Sequence, residues 1–235
     1  MIRMPYQLME DDPSTPPIGL IVLQSDETLE VELRTTLADL ENPLYMSRIP
    51  SAATVSTDTL NDMRDHLKTS ASLLPNAREF AVVGYGCTSA SAAIGSDRIE
   101  ELIKSVCKTR HVTNPLKAVC AYADYFGLRR FAFLSPYVEE VNEPIREAFA
   151  DAGITTDVFG SFLEPNEANV VRIASKSIVD AASQLGGDES VDAVFMSCTN
   201  LPTLKATPEI EKRIRKPVLS SNQCLAWHLK YLSSD

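Results

Sequence analysis

Short apolar runs alternate with longer amphipathic stretches along the chain. Four runs are rich in β-forming residues and apolar on both faces: residues 18–23, 80–83, 130–134 and 192–196. Runs of this kind are typical of parallel strands buried under helices on both sides of a sheet. Weaker strand patterns occur at residues 158–159 and 217–219. The hydrophobic pattern therefore predicts several short, buried strands.

The stretches between the strands carry helical periodicity. They cover residues 27–40, 57–74, 91–107, 115–126, 138–152, 166–184 and 209–215. Strands that alternate with helices of this length indicate repeated βαβ units and parallel sheets. Several glycines fall where helices are expected to end, a position that favours glycine because it needs a positive φ: Gly127, Gly153, Gly186 and Gly187.

An internal repeat is visible when the chain is shifted by 111 residues. Under that shift residues 20–23 fall on 131–134, residues 81–83 on 192–194, Cys87 on Cys198 and Thr88 on Thr199. At a shift of 108, Thr113 and Asn114 fall on Ser221 and Asn222. Any chain of βαβ units shows some self-similarity. The recurrence of strand, thiol and hydroxyl in the same order nevertheless favours two related halves.

The predicted fold class is α/β, with two pseudo-symmetric halves that each contain a small parallel sheet flanked by helices. We predict an N-terminal half at residues 1–115, which carries Cys87, and a C-terminal half at residues 116–215, which carries Cys198. Residues 216–235 are expected to complete the N-terminal half. A length of 235 residues suits two halves of little more than a hundred residues each. The cleft between the halves is the expected active site.

Each repeat-related cysteine follows a predicted strand and precedes a helical pattern. In open α/β sheets the carboxyl ends of the strands form the ligand crevice. A helix N-terminus there carries unpaired N–H groups and partial positive charge, which lower the pKa of a thiol and can hold a carboxylate. We therefore expect Cys87 and Cys198 to be reactive. Two buried structural cysteines are the simpler alternative.

The residues beside the two cysteines are natural helix caps and hydrogen-bond donors to a substrate: Thr88, Ser89, Thr199 and Asn200. Gly84 and Gly86 leave room for a ligand or for the opposite half. Two thiols that face each other across a cleft suit a reaction with a planar, carbanion-like intermediate. One thiol removes a proton or adds at one face while the other protonates the opposite face. This chemistry requires no cofactor, and neither a metal nor an organic cofactor is predicted.

Composition and charge narrow the choice of partners. Hydrophobic residues make up 44% of the chain and charged residues 23%, as in ordinary globular proteins. Thirty-two acidic against twenty-two basic residues give a net charge of −10, which disfavours nucleic-acid binding. No apolar run is long enough to cross a membrane, and nothing at the start of the chain resembles a signal peptide. We therefore expect a cytoplasmic protein with a small-molecule substrate.

The remaining cysteines and histidines are expected to have structural roles. Five cysteines at irregular spacing, without a CxxC pair, fit neither a disulfide framework nor a zinc site. Cys107, Cys120 and Cys224 lie in helical patterns and are expected in the core, although the segment before Cys224 could approach the cleft. The three histidines lack ligand-like spacing: His66, His111 and His228. Asn166 and Asn169 mark either a loop over the site or the cap of a surface helix.

Four segments in order resemble the aspartate/glutamate racemase superfamily: residues 19–22 (GLIV), 84–89 (GYGCTS), 135–137 (SPY) and 197–200 (SCTN). The most similar branch comprises the maleate cis-trans isomerases, the arylmalonate decarboxylases and the racemase-like proteins of ectoine utilisation. The resemblance extends from about residue 18 to residue 227. Each motif alone is weak, whereas four in the correct order are specific.

The resemblance implies roles for particular residues. Cys87 and Cys198 would be the catalytic pair at the interface of two similar α/β halves. Thr88, Ser89 and Thr199 would bind a substrate carboxylate, and Tyr137 would donate a hydrogen bond to that carboxylate or to an enediolate. In the maleate isomerases the first cysteine is thought to add to the alkene, and in the racemases the two cysteines exchange the α-proton. Superfamily members are often homodimers.

Two features bear on the substrate. Decarboxylases of this branch keep only the second cysteine, so the presence of Cys87 argues against that activity. Maleate isomerases usually carry an asparagine in the loop where this chain has Asp26. An ionised Asp26 would repel a second carboxylate, and it could instead meet an ammonium group, tune Cys87, or cap the following helix. This residue shifts the balance from maleate toward an amino-acid-like substrate.

The sequence therefore predicts a cofactor-independent isomerase that uses two cysteines on opposite faces of a small carboxylic acid. Its reaction is either racemisation of an amino-acid-like substrate or cis-trans isomerisation of maleate. The alternatives are a two-lobed binding or sensor protein without turnover and an arylmalonate-type decarboxylase.

Overall fold

The computed structural model describes residues 1–9 and 14–234 and contains two parallel sheets. The first sheet has the order β2-β1-β3-β4, formed by β1 (Ile18–Leu23), β2 (Leu44–Ile49), β3 (Phe80–Gly86) and β4 (Thr109–Thr113). The second has the order β6-β5-β7-β8, formed by β5 (Arg130–Ser135), β6 (Thr155–Ser161), β7 (Ala193–Met196) and β8 (Val218–Ser220). The two orders are equivalent strand for strand, so the predicted α/β fold of two similar halves is confirmed.

Ten helices in the described residues connect and cover these strands. They are α1 (Leu29–Thr36), α2 (Thr57–Ser72), α3 (Thr88–Ile94), α4 (Ser96–Lys104), α5 (Pro115–Phe126), α6 (Glu139–Asp151), α7 (Glu167–Val170), α8 (Ser175–Gly186), α9 (Thr207–Ile214) and α10 (Ser221–Ser233). The predicted helix at 91–107 is two helices, because Gly95 has φ 89° and interrupts the helical backbone. The predicted helix at 166–184 likewise divides into α7 and α8.

The central strands are buried on both faces, as the apolar runs predict. In β1, Ile21 and Leu23 face one large cluster that continues into the second half. Leu20 and Val22 face the opposite way, into a smaller cluster with α1 and α10. One face of the first sheet therefore packs against α2 and α4, and the other packs against α1 and α10. The larger cluster continues into the second half through the contact between α3 and α6.

The C-terminal segment contributes to both halves. β8 pairs in parallel with β7 and belongs to the second sheet, whereas α10 packs on β3 and α5 of the first half. The division at 1–115, 116–215 and 216–235 stays a prediction, and residues 10–13 and 235 lie outside the described residues. In the part of the chain that the structure describes, no helix is both long and apolar enough to cross a membrane.

Candidate active site

All eight residues that the sequence singled out for the site are buried near the carboxyl ends of the central strands. Each is 4% exposed or less: Asp26, Cys87, Thr88, Ser89, Tyr137, Cys198, Thr199 and Asn200. They come from the loops after β1, β3, β5 and β7, the two innermost strands of each sheet. Parallel strands deliver these loops to one edge of each sheet, which is why residues so distant in sequence lie together.

Cys87 caps the N-terminus of α3. Its Sγ accepts a hydrogen bond from the backbone N–H of Ala90 at 3.4 Å and lies 3.5 Å from the Ser89 hydroxyl. Both contacts favour the thiolate, as the sequence predicts. Burial outweighs them and raises the pKa of Cys87 to about 12. The expectation of a lowered pKa at this thiol is therefore wrong, because removal from water destabilises the thiolate more than the helix N-terminus stabilises it.

Cys198 occupies the equivalent position by a different local structure. It follows β7 with φ 98°, a region that non-glycine residues rarely adopt. The next helix, α9, begins only at Thr207, so the expectation of a helix N-terminus at this cysteine is wrong. Its thiol instead has hydrogen bonds with the Tyr137 hydroxyl and the backbone N–H of Asn200. Burial and then the negative charge of Glu167 hold the pKa of Cys198 well above its usual value.

The Tyr137 hydroxyl is hydrogen-bonded to the Cys198 thiol and is within electrostatic reach of Cys87. The backbone of Tyr137 is fixed by a hydrogen bond from Asn142 Nδ2 to its carbonyl oxygen at 2.8 Å and by its own N–H, which donates to Ser135 Oγ at 3.3 Å. Burial raises the pKa of the phenol strongly, and the charges of Cys198 and Cys87 raise it further. The hydroxyl therefore stays protonated and is a hydrogen-bond donor to the Cys198 thiol.

Hydroxyl groups join the two halves directly at the site. Thr88 Oγ1 lies 2.8 Å from Ser221 Oγ, and the backbone N–H of Cys198 donates to the same Ser221 oxygen at 3.1 Å. Thr199 Oγ1 donates to the carbonyl oxygen of Gly86 at 3.2 Å. Sequence comparison marked Ser221 only as the counterpart of Thr113, and its contact with both cysteine loops depends on how the halves meet.

The glycines beside Cys87 make room for helices. A Cβ at Gly86 would lie 2.3 Å from a methyl group of Leu29 on α1. A Cβ at Gly84 would lie 3.3 Å from a methyl group of Leu229 on α10. The space beside these two Cα atoms is therefore filled by helix side chains and not by a ligand, while the opposite half approaches Gly86 through the hydrogen bond from Thr199 to its carbonyl oxygen.

Asp26 serves as a helix cap with one oxygen only. Its Oδ1 accepts the N–H groups of Thr28 at 2.8 Å and Leu29 at 2.7 Å, which satisfies the first turn of α1. Its Oδ2 is buried, and no described residue meets it with hydrogen-bond geometry. Burial raises the pKa of Asp26, while the two N–H groups, the Thr199 hydroxyl and the charge of Arg48 oppose that shift.

Two further buried carboxylates adjoin the site, and sequence reasoning missed both. Glu167 Oε2 accepts a hydrogen bond from Asn200 Nδ2 at 2.7 Å. Glu32 accepts hydrogen bonds from the backbone N–H of Leu204 at 2.9 Å and from Asn222 Nδ2 at 2.7 Å. Burial raises the pKa of both glutamates. Both residues lie in helical patterns with exposed neighbours, so the sequence offers no direct signal beyond the asparagines that flank Glu167.

Asn200 is occupied by protein contacts. Its Oδ1 accepts the N–H of Glu27 at 2.9 Å, and its Nδ2 donates to Glu167 Oε2 and, at 3.3 Å, to the Glu167 carbonyl oxygen. The amide thus ties the loop after β7 to α1 and α7. Its predicted contact with substrate stays a prediction.

The remaining titratable candidates lie outside this cluster. Cys107 and Cys224 are buried and Cys120 is half-buried, and all are free thiols. His228 is buried against Thr113, with 2.8 Å between Nδ1 and Oγ1, as expected for a packed histidine. Within the described ranges, no three His, Cys, Asp or Glu side chains group as metal ligands would.

Comparison with known proteins identifies the family. The sequence model of the arylmalonate decarboxylase family matches residues 18–234. An arylmalonate decarboxylase from Bordetella bronchiseptica is 30% identical over 104 residues, which is 43% of this chain and 42% of that relative. A maleate isomerase from Alcaligenes faecalis is 25% identical over 218 residues, covering 87% of this chain and 85% of that relative.

A solved structure shows the same fold. It is a Cys-to-Ser variant of the Nocardia farcinica maleate cis-trans isomerase with a covalently bound succinylcysteine intermediate. Its TM-score is 0.82 at 22% identity, covering 93% of this chain and 92% of that chain. The comparisons confirm an enzyme family related to the isomerases. Because the family model spans nearly the whole sequence, this chain belongs to the arylmalonate decarboxylase family, in the branch of the Asp/Glu racemase-like superfamily that also contains the maleate isomerases.

Proposed function

We propose that this protein is an isomerase in which Cys87 and Cys198 act on opposite faces of a small carboxylic acid. The observation that carries the proposal is the position of Tyr137, whose buried hydroxyl is within electrostatic reach of both thiols. Two thiols at equivalent strand ends, with a hydrogen-bond donor that contacts Cys198 and lies within electrostatic reach of Cys87, suit a planar intermediate that carries developing negative charge.

For racemisation, the thiolate of one cysteine removes the α-proton and the electron pair passes into the carboxylate as an enediolate. The thiol of the other cysteine then returns a proton to the opposite face and becomes the thiolate. The raised pKa of both thiols makes each thiolate, once formed, a stronger base toward carbon, and it also keeps the thiolate fraction small at neutral pH. Tyr137 would donate its hydrogen bond to the enediolate.

Cis-trans isomerisation of maleate is the second candidate, supported by the maleate isomerases among the relatives and by the succinylcysteine in one of them. The thiolate of Cys87 would add to one alkene carbon, leaving the electron pair as an enediolate. Rotation about the former double bond, which is now a single carbon–carbon bond, would follow. The electron pair of the enediolate would then re-form the alkene and expel the Cys87 thiolate, which gives the trans isomer. An arylmalonate-type decarboxylase is less favoured, because the branch members with that activity keep only the second cysteine.

The substrate carboxylate would be held by Thr88, Ser89 and Thr199 beside the cysteines. The backbone N–H groups at the start of α3 supply a partial positive charge there. Chemistry of this kind needs no cofactor. A homodimer and a cytoplasmic location also belong to the proposal, and size-exclusion chromatography with light scattering tests the first of them.

Proton NMR in D2O separates the candidates. The enzyme is incubated with a panel of α-amino acids and, separately, with maleate. Deuterium at an α-position supports racemisation, and the appearance of fumarate supports cis-trans isomerisation. No turnover of either class, with ligand affinity that is retained when either cysteine is replaced, would favour a binding or sensor protein instead. Turnover that survives replacement of both cysteines would contradict the two-cysteine mechanism.

A further inference from the structure

Residues 1–9 form an exposed apolar segment, which we call the arm. The arm contains neither helix nor strand, and all nine of its residues are exposed. Six of them have large apolar side chains that are each at least 72% exposed: Met1, Ile2, Met4, Tyr6, Leu8 and Met9. Monomeric proteins rarely expose so many large apolar side chains together, and such a group usually marks an interaction site.

Five aromatic rings on α5 and α10 form a second exposed surface, which we call the aromatic face. Its centre is Trp227, the single tryptophan of the chain, and the other four ring centroids lie 5.1 to 6.3 Å from that of Trp227. Three of the rings are at least 50% exposed. Clustered aromatic side chains are typical anchors of protein interfaces. The members of the face are Tyr122, Tyr125, Phe126, Trp227 and Tyr231.

The chain enters the first sheet at the end where the aromatic face lies. α5 begins beyond the end of β4, and α10 begins at Ser221 beside the site, so both helices run back along the sheet and finish at its opposite end. Lys230, in the last turn of α10, pairs there with Asp39 in the turn between α1 and β2. β1 also begins at this end of the sheet. The arm is therefore attached at the end of the molecule that carries the aromatic face.

The composition of the arm suits a surface of aromatic rings. Three of its nine residues are methionines, whose flexible thioethers adapt to irregular apolar surfaces and make favourable contacts with ring edges. Pro5 is the residue type that aromatic grooves bind in extended peptides, and Arg3 has a guanidinium group that stacks on tyrosine and tryptophan. The arm has no acidic residue, whereas the chain has a net charge of −10, so charge favours contact between the arm and this protein.

We propose that the arm of one copy docks on the aromatic face of a second copy, which returns the same contact. A reciprocal exchange of this kind is closed by a twofold axis and stops at a dimer. The arm and the aromatic face of one chain are both exposed, so both are available to a second copy. The inference names a surface for the proposed homodimer and does not rest on the two-cysteine chemistry. The arm precedes residues 18–234, so membership of the family does not supply this contact.

The oligomeric state of the full chain tests the proposal. Sedimentation velocity measures the Kd of the dimer, and the fluorescence of Trp227 reports whether the aromatic face is covered. We expect the wild type to be a dimer at micromolar concentration. Its fluorescence should shift to longer wavelength on dilution, because dissociation returns the aromatic face to water.

Two double variants remove the two sides of the contact separately. Met4→Glu with Leu8→Glu changes the arm, and Tyr125→Ser with Tyr231→Ser changes the aromatic face. All four side chains are at least half exposed, so the fold is retained. Each double variant should raise the Kd of the dimer by about 10-fold or more, the loss typical of anchor residues at an interface. Leu73→Glu, at a leucine that is 70% exposed after α2, is the matched control and should leave the Kd unchanged.

A mixture of the two double variants tests whether the contact joins different copies. The intact arm of the face variant can dock on the intact aromatic face of the arm variant, so one of the two contacts remains available. Native mass spectrometry distinguishes the variants by mass. We expect it to show a heterodimer at concentrations where each variant alone is monomeric.

Three results would overturn the proposal. A wild-type chain that stays monomeric removes both this contact and the homodimer. A dimer whose Kd is unchanged in either double variant shows that the copies are joined by another surface, or by the two aromatic faces without the arms. A mixture without heterodimer shows that the arm covers the aromatic face of its own chain. None of these results bears on turnover by Cys87 and Cys198, which is decided by proton NMR in D2O.

Discussion

The ends of β3 and β7 occupy the same place in two similar sheets, yet each holds its cysteine by a different local structure. Cys87 begins a helix directly, and the N–H of Ala90 reaches its thiol. Cys198 adopts φ 98° and is followed by an irregular segment, and its thiol is bound by a side chain, Tyr137, and by the N–H of Asn200. Equivalent topology thus positions two thiols, while local sequence decides what stabilises each thiolate.

The hydroxyl residues at the ends of the outer strands β4 and β8 also differ in the contacts that they make. Thr113 at the end of β4 and Ser221 after β8 correspond in the repeat, but Thr113 binds the packed His228 whereas Ser221 binds Thr88 and the N–H of Cys198. The Thr113 hydroxyl therefore packs in the core, whereas the Ser221 hydroxyl contacts both cysteine loops of the candidate site. A repeat in the sequence predicts equivalent positions but not equivalent uses.

Replacing each cysteine gives the largest expected effect. Cys87→Ser and Cys198→Ser should each lower racemisation or isomerisation by about a thousandfold or more, because a serine hydroxyl is a far weaker acid than a thiol and neither ionises to a base nor gives up a proton as readily. For a racemase, residual deuterium exchange measured by NMR should be confined to one enantiomer in each variant, and to opposite enantiomers in the two. Cys120→Ser, at a half-buried cysteine outside the site, is the control. Equal residual exchange of both enantiomers would contradict the assignment of one face to each thiol.

Removing the hydroxyl of Tyr137 should slow the step that uses Cys198 more than the step that uses Cys87. This hydroxyl stabilises the thiolate of Cys198, so Tyr137→Phe should raise the pKa of that thiol further. The step that needs the Cys198 thiolate should slow by about 10- to 100-fold at neutral pH, the effect of one hydrogen bond to a charged group. Its pH–rate profile should move to higher pH, because the thiolate fraction falls. Both expectations are checked by measuring the racemisation rate in each direction as a function of pH. A uniform loss without a change in the pH profile would indicate only a packing role.

Much of the fold could be predicted because it rests on local pattern. The central strands β1, β3, β5 and β7 are buried on both faces, so their apolar runs are continuous and easily recognised. The edge strands β2 and β4 mix buried and exposed residues, with burial patterns that resemble loops, and the sequence analysis missed them. Pairing with a central strand makes them strands, and pairing is a tertiary property.

Some residues of the site could likewise be predicted from local sequence pattern, and others could not. Cys87 and Cys198 and their neighbouring hydroxyls are visible because they follow recognisable strands. Glu32 and Glu167 are not visible, because their burial depends on Asn222 and Asn200 from a distant part of the chain. The pKa of the thiols was predicted in the wrong direction for a related reason. A helix N-terminus is a local feature, whereas burial depends on how the two halves close over the site.

The contact between Thr113 and the buried His228 predicts that the free energy of unfolding depends on pH. Ser221, the counterpart of Thr113 in the repeat, should add no such dependence. Burial, and then the charges of Lys117 and His111, lower the pKa of His228 from 6.5 to about 4. A histidine with a folded pKa below its unfolded pKa stabilises the protein fully above pH 6.5, and this stabilisation is lost as the pH falls toward 4. Between pH 7 and pH 4, wild type should lose about 2 to 3 kcal/mol relative to His228→Gln in urea unfolding. The Ser221→Ala variant is the comparison and should change with pH as wild type does. A constant difference between wild type and His228→Gln would show that His228 does not titrate on unfolding.

The smallest expected effects concern the residues just before the two cysteines. Gly86 and Ser197 are equivalent in the repeat, but a methyl group at Gly86 would overlap Leu29, whereas the buried hydroxyl of Ser197 has no hydrogen-bond partner among the described residues. Gly86→Ala should therefore lower the free energy of unfolding by about 2 kcal/mol through overpacking. Ser197→Ala should change it by less than about 1 kcal/mol, or stabilise the fold, because it removes an unsatisfied polar atom. Urea unfolding of both variants checks the pair. A similar loss at both positions would mean that the two strand ends are alike in packing after all, and that only the segments beyond the cysteines distinguish the halves.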